Sequence, residues 1–249
     1  MPHDKELMTA HALSTALNLS ADTIWRYTRE KKIPYIELGN KKYRYNLNDV
    51  VNTLSQSNVK EKTPNYDTTK EYTYEDYLAL PQERGFRFEV LEGELIKEPS
   101  PTVSHQKAVS ELHFLLKQYF KEADSHGEVF VSPLDITFSD TTVVQPDVLY
   151  VSGEQKEIIQ PLGIDGPPML VVEVLSPTSG RKDRIRKMQI YQRGNVQHYW
   201  LVNPEDKMIE CFALRNGLYA LVASGMDGET VKHPVFEGLS IDLSLLWML

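Results

Sequence analysis

Two carboxylates set among apolar neighbours are the groups in this sequence best placed to do chemistry. Asp147 follows Pro146 in VVQPDVLYV, and Glu173 interrupts the apolar run 169–175. An ionised acid in such a strand is costly unless something compensates it. A divalent cation would do so, because Mg²⁺ takes hard oxygen ligands, commonly a few carboxylates plus waters. Glu89, in RFEVLEG, could add a third acid. Asp183 and Lys187 stand four apart, so on a helix they share a face and Lys187 could sit beside the same site. His105, in SPTVSHQKAV, lies near a helix start, where it either satisfies a local hydrogen bond or lines the site. These residue types suit phosphodiester hydrolysis. A carboxylate-held Mg²⁺ or Mn²⁺ acidifies the attacking water and stabilises charge on the phosphoryl oxygens. A lysine orients or helps deprotonate that water. Plainer readings stay open: Asp147 as a turn residue, Glu173 as a partnered buried acid, and Asp183–Lys187 as a surface ion pair. The other histidines are scattered without metal-ligand spacing.

The elements that must position these groups follow from periodicity. Segments 86–91 and 94–98 flank Glu92-Gly93 and read as a hairpin, with glycine supplying the positive φ of a tight turn. Residues 102–123 read as a long amphipathic helix with Val109, Leu112, Leu115, Leu116 and Tyr119 on one face. Segments 129–138 and 143–151 read as strands, and 169–175 as a strand buried on both faces. A helix over 179–193 ends at Gly194, and strands follow at 198–202, 208–214 and 218–223. The fold class is α+β around a central mixed sheet.

The first part of the chain has a different grammar. One short helix ends near Leu17, and Ser20 or Asp22 can cap a second that carries Arg26 and Arg29. Segments 33–37 and 41–45 then flank Gly39-Asn40 as a small hairpin bearing Lys41, Lys42 and Arg44. A basic helix of this kind suits a major groove. The alternative is a protein–protein module with a solvated basic face. Residues 56–70 are polar and carry Pro64, which predicts a linker. The expected domains are therefore 1–55 and 71–249.

The formal net charge of −8 hides this division. Residues 1–70 carry 11 basic and 8 acidic side chains, against 16 and 27 in the remainder. The single cysteine, Cys211, excludes an intrachain disulfide and a multi-cysteine zinc site. With no signal-like or membrane-length apolar run, a cytoplasmic location is expected.

Residues 7–54 resemble the excisionase/MerR-type winged helix-turn-helix family. That resemblance implies DNA contacts by the second helix and the wing, here Thr23, Arg26, Arg29, Lys41 and Arg44. Residues 72–249 resemble the Uma-type restriction endonuclease family, a branch of the PD-(D/E)XK nuclease superfamily. The matching stretches are YTYEDYLALP, RFEVLEGELIKEPSPTVSHQ, VQPDVLYV and GPPMLVVEVLSPTSGRKDRIRKMQIYQRGNVQHYWLVNP. The resemblance implies a restriction-endonuclease-like core with Asp147 and Glu173 as the paired motif acids. The motif lysine expected two residues after Glu173 is Leu175, so Lys187 would supply it from the following helix. Arg181, Lys182, Arg184 and Arg186 could track a phosphate backbone or form a solvated helix face. The reading is a Mg²⁺-dependent endonuclease brought to DNA by a helix-turn-helix module. Asp147, Glu173 and Glu89 would be its metal ligands, Lys187 and His105 would join them in catalysis, and a homodimer is expected. The alternative is a DNA-binding regulator or mobile-element accessory factor with a catalytically silent nuclease fold. A third reading has the second body bind a protein or small ligand.

Overall fold

A computed structural model describes residues 7–17, 19–39, 42–56, 66, 69–81, 83–176 and 182–247. The chain forms two compact units, residues 1–66 and 67–249. Lys41, Arg181 and most of the expected linker lie outside the described residues.

In the first unit β1 (Leu7–Met8), α1 (Ala10–Leu17), α2 (Ala21–Arg29), β2 (Ile36–Glu37), β3 (Tyr43–Asn46) and α3 (Leu47–Gln56) follow in order. The strands pair as β1-β3-β2. Ser20 caps α2 by accepting the Thr23 N–H at 3.1 Å, as its position before ADTIW predicts. Leu13, Ile24, Tyr27, Ile33, Tyr45 and Val50 form the core of this unit. The buried Thr28 and Tyr45 hydroxyls hydrogen bond at 2.7 Å, tying α2 to β3.

The second unit contains α4 (Tyr74–Leu78), β4 (Phe86–Leu91), β5 (Glu94–Pro99), α5 (Val103–Ala123), β6 (Glu128–Val131), β7 (Ile136–Ser139), β8 (Thr142–Val144) and β9 (Val148–Val151). After a 3-10 turn come β10 (Ile159–Gln160), β11 (Gly163–Asp165) and β12 (Leu170–Val174). Helix α6 opens as a π-helical turn, Asp183–Lys187, and continues as Met188–Arg193. The unit closes with β13 (His198–Asn203), β14 (Met208–Arg215), β15 (Leu218–Met226), β16 (Thr230–Lys232), β17 (Ser240–Asp242) and α7 (Ser244–Trp247).

Two six-stranded sheets replace the single central sheet expected. Their orders are β10-β11-β7-β8-β4-β5 and β15-β14-β13-β12-β9-β6. The error traces to prolines. Segments 129–138 and 143–151 each read as one strand, but Pro133 and Pro146 lack the N–H a ladder needs. Each run therefore breaks in two, with β6 and β9 in one sheet and β7 and β8 in the other. The hairpin stands as expected: Glu92 and Gly93 both take positive φ, 54° and 81°, which the type I′ turn requires.

Strand β12 is buried throughout and runs parallel to β13 and antiparallel to β9. Its side chains alternate between two cores. Leu170, Val172 and Val174 pack with Leu112, Leu116 and Phe120 of α5, whereas Val171 joins Leu91, Tyr191 and Tyr199 on the opposite face. Glu173 has the parity of Val171, so it points into the second core, where the two sheets meet.

His198 and His233 are a second place where buried polarity matters. Their rings lie 5.3 Å apart among Trp200 and Phe236. Burial holds each near a pKa of about 4, with His233 adding to the shift of His198. Unfolded histidine binds its proton near 6.5, so between pH 6.5 and 4 the unfolded chain holds more protons and the fold loses stability as pH falls. His198→Phe should flatten that segment of a melting-temperature profile. An unchanged slope would show the pair is not its source.

Candidate active site

The register brings the site together. Val172 of β12 lies opposite Val148 of β9, so the next pair in that antiparallel ladder would be Glu173 and Asp147. There the ladder stops. The Val174 N–H donates to Asp147 Oδ2 at 2.8 Å in place of a backbone carbonyl. The strands part at this point, with the two acids on one face of the sheet. Strand β4 supplies the opposite wall. Arg87, Glu89 and Leu91 share one face of it, and Glu98 lies opposite Arg87 on β5. Helix α6 delivers Lys187, and the first turn of α5 delivers His105, its N-terminus capped by Thr102.

Lys187 is fully buried, with Nζ 2.7 Å from Glu89 Oε1 and 2.9 Å from Glu173 Oε1. It also lies 3.8 Å from Asp183 Oδ1, so the Asp183–Lys187 pair is a buried feature and not a surface ion pair. Tyr191, one turn on, donates to Glu173 Oε1 at 2.6 Å. Glu89 Oε1 accepts the Gln145 N–H at 2.8 Å, and its Oε2 is 3.0 Å from Lys182 Nζ. Lys182 also reaches Glu98 at 2.5 Å. Arg87 donates to Asp147 Oδ1 at 3.1 Å and to Glu98 at 3.3 Å, while His105 Nε2 stands 3.2 Å from Asp147 Oδ2. Asp147, Glu173, Glu89, Lys187 and His105 thus form one network. Thr23, Arg26, Arg29 and Arg44 belong to the other unit: the first three recur every third residue of α2, and Arg44 lies on β3.

These contacts set the charge of each acid. Burial pushes the Glu89 carboxyl up, but Lys187, Lys182 and Arg87 outweigh it and hold it at about 2. Burial likewise opposes ionisation of Asp147, yet His105, Arg87 and the Val174 N–H bring it below the usual carboxylate range. Glu173 goes the other way. Burial, with Asp183, Asp147 and Glu89 nearby, defeats Lys187 and raises it to about 8.

Among the described residues five buried acids, Glu89, Glu98, Asp147, Glu173 and Asp183, meet three basic side chains, Arg87, Lys182 and Lys187. The acids thus outnumber the Lys and Arg side chains around them by two, a surplus of hard oxygen donors of the kind a divalent cation takes. No cluster of three or more His, Cys, Asp or Glu side chains among the described residues forms a ready metal cage. Asp147 and Glu173, neighbours where the ladder ends, are hard oxygen donors, and a cation there would need water to complete its shell. Glu89 is joined to this pair through Lys187.

A family model for Uma2, described as "Putative restriction endonuclease", matches residues 74–244, most of the chain. The chain belongs to the Uma2 family. A Synechocystis sp. relative, the uncharacterized protein sll1609, is 26% identical over 138 residues, covering 55% of this chain and 77% of its own. A crystal structure described as a putative nuclease belonging to DUF820, from Anabaena variabilis, superposes with a TM-score of 0.57. It covers 70% of this chain and 97% of that one at 20% identity, which shows a shared fold.

Several members of this Uma2 network escaped the sequence reading. Arg87 stands two residues before Glu89, so strand periodicity would have placed both on one face. Tyr191 is four residues past Lys187 and shares its helical face. Glu98 and Lys182 carried no such signal, because only the sheet register and the start of α6 bring them in. Of the basic residues expected to track phosphates, the three described pair internally: Lys182 as above, Arg184 with Glu210 at 2.5 Å and Arg186 with Glu94 at 2.7 Å.

Proposed function

We propose that this Uma2 protein is a Mg²⁺-dependent endonuclease acting on DNA, delivered by a winged helix-turn-helix in its first unit. The observation that carries this reading is the end of the β9–β12 ladder, where Asp147 and Glu173 are neighbours and the buried Lys187 contacts Glu173. Asp147 and Glu173 would hold the cation, and Glu89, as third acid, would fix Lys187. When bound, Mg²⁺ supplies positive charge to the phosphoryl oxygens and acidifies the attacking water. The Lys187 ammonium orients that water and screens the charge developing on the phosphate. Arg87 and His105 hold Asp147 ionised and aimed.

The Lys187 position supports its standing in for the missing motif lysine. Leu175 packs in the second core, and the ammonium arrives from α6 instead. The π-helical turn ends on Lys187, a feature that recurs at functional sites. Incubating the chain with supercoiled plasmid and Mg²⁺ should yield nicked or linear DNA, and EDTA should stop it. Tight DNA binding with no cleavage in Mg²⁺ or Mn²⁺ would favour a regulator with a silent nuclease fold. A homodimer would supply one such site for each strand.

The exposed α2 residues Arg26 and Arg29, with Arg44 on β3, fit a basic groove-facing surface to which Lys41 would add. Exposed Trp25 lies on the same helix. Binding through phosphates releases counterions, so affinity should fall with salt. Arg26→Ala and Arg29→Ala should each lower the slope of log K against log salt by about 1. Slopes equal to that of the parent chain would remove these residues from the interface.

A further inference from the structure

Asp147 has a second face. Besides Arg87 and His105 it borders a cavity of about 460 Å³ set between α5 and the ends of β4 and β6. The cavity falls within the roughly 300–1,000 Å³ typical of ligand sites. Its walls include the apolar side chains of Phe86, Val109 and Val131, and its polar groups are chiefly neutral: Gln106, Ser110 and His113. Among the described residues, Arg87 and Asp147, already paired with each other, are the only Lys, Arg, Asp or Glu lining it. A second hollow, about 630 Å³, continues past Phe86, Arg87 and Gln145 on the other side. Phe86 is itself 42% exposed at the rim of both, with Lys97 Nζ 3.9 Å over one face of its ring and the other face left to stack.

This chemistry suits a flat, uncharged ring with hydrogen-bonding edges, and not a phosphate. The catalytic acids sit deep, with Glu89, Asp147 and Glu173 each no more than 2% exposed. A base can enter the cavity beside Asp147 only when it has been taken out of the stack. We propose that the cavity takes one unstacked nucleobase, belonging to the nucleotide beside the scissile phosphate. The preferred substrate is then single-stranded or locally unpaired DNA. This rests on the endonuclease reading and narrows its substrate. Phe86 and the valines provide the stacking and apolar contact, and Gln106, Ser110 and His113 meet the edge of the base. The Nε–H of Arg87 is buried and makes no hydrogen bond, a further donor at the junction of the cavity and the carboxylates.

The test uses the full chain with Ca²⁺ in place of Mg²⁺ and a fluorescein-labelled single strand, read by anisotropy. A set of strands carries one abasic site at each successive position. Stacking on an aromatic platform is sequence-tolerant, so the strands are kept as short as the binding footprint to fix the register; base removal at one position should then weaken binding roughly tenfold while others change little. Ser110→Trp, on the exposed side of α5, fills the cavity and should weaken binding of the intact strand similarly, leaving the abasic series flat. Gln106→Ala, a milder change, should weaken the same position if the tryptophan variant fails to fold. A flat series with the unmodified chain overturns the pocket. So does plasmid cleavage unaffected by Ser110→Trp, and both results leave the endonuclease reading standing. Absence of nucleic-acid binding and cleavage altogether would sink both.

Discussion

Lys187→Ala should lower Mg²⁺-dependent plasmid cleavage by about 10²–10⁴-fold and cost the fold about 3–5 kcal/mol. The two effects share a cause. Lys187 is fully buried and touches Glu89 and Glu173 at once. Its loss strands two acids in a site with almost no solvent, and breaking a buried ion pair costs far more than replacing it whole. Stability and activity must therefore be separated. Lys187→Met combined with Glu89→Gln removes the charges together and should recover most of the lost stability in urea titrations. Glu89→Gln alone provides the activity baseline. A further drop in cleavage on adding Lys187→Met, in a chain that melts normally, assigns the lysine to the chemistry. Equal cleavage in the two variants would leave Lys187 a structural residue.

Asp147→Asn and Glu173→Gln should each reduce cleavage by at least about 10³-fold, since several kcal/mol of transition-state stabilisation would depend on the cation proposed for them. Their effects on the fold should differ. Asp147 accepts from Arg87 and the Val174 N–H and contacts His105. An amide in its place keeps one oxygen acceptor and turns an NH₂ toward either Arg87 or the Val174 N–H, at a cost of roughly 1–3 kcal/mol. Glu173 is the acid for which the network supplies too little positive charge, so an amide there should leave the cation-free chain nearly as stable as before. What Glu173→Gln removes is the response to metal. Mg²⁺ raises the melting temperature of a protein that binds it only when folded, and that rise should vanish. A variant that keeps both the rise and the cleavage would place the cation elsewhere.

Much of this site was legible one residue at a time. Glu173 stood out because an acid in an apolar strand demands compensation, and Asp147 because proline marks where a strand ends. The i,i+4 relation of Asp183 and Lys187 was readable too, although the structure buries a pair that looks solvent-exposed in isolation. Arg87 was available through strand parity and went unnoticed. The long helix α5 and the Glu92-Gly93 hairpin followed from periods and turn chemistry that are local by nature.

What the sequence determined by itself was the set of elements and the suspicion attached to particular acids, because periodicity, capping and the cost of lone charges act within a few residues. Tertiary structure decided which charges share a partner. Glu89 and Lys182 are 93 residues apart, and Arg87 and Asp147 are 60 apart. Only the register of β9 against β12, the division into two sheets and the placement of α6 bring them within hydrogen-bond reach. Coulomb energies turn on ångströms and on the exclusion of water, neither of which a linear order of residues records. That is why three carboxylates written into similar apolar strands end differently, two drawn down toward the ionised form and one, Glu173, pushed up by burial and its acidic neighbours.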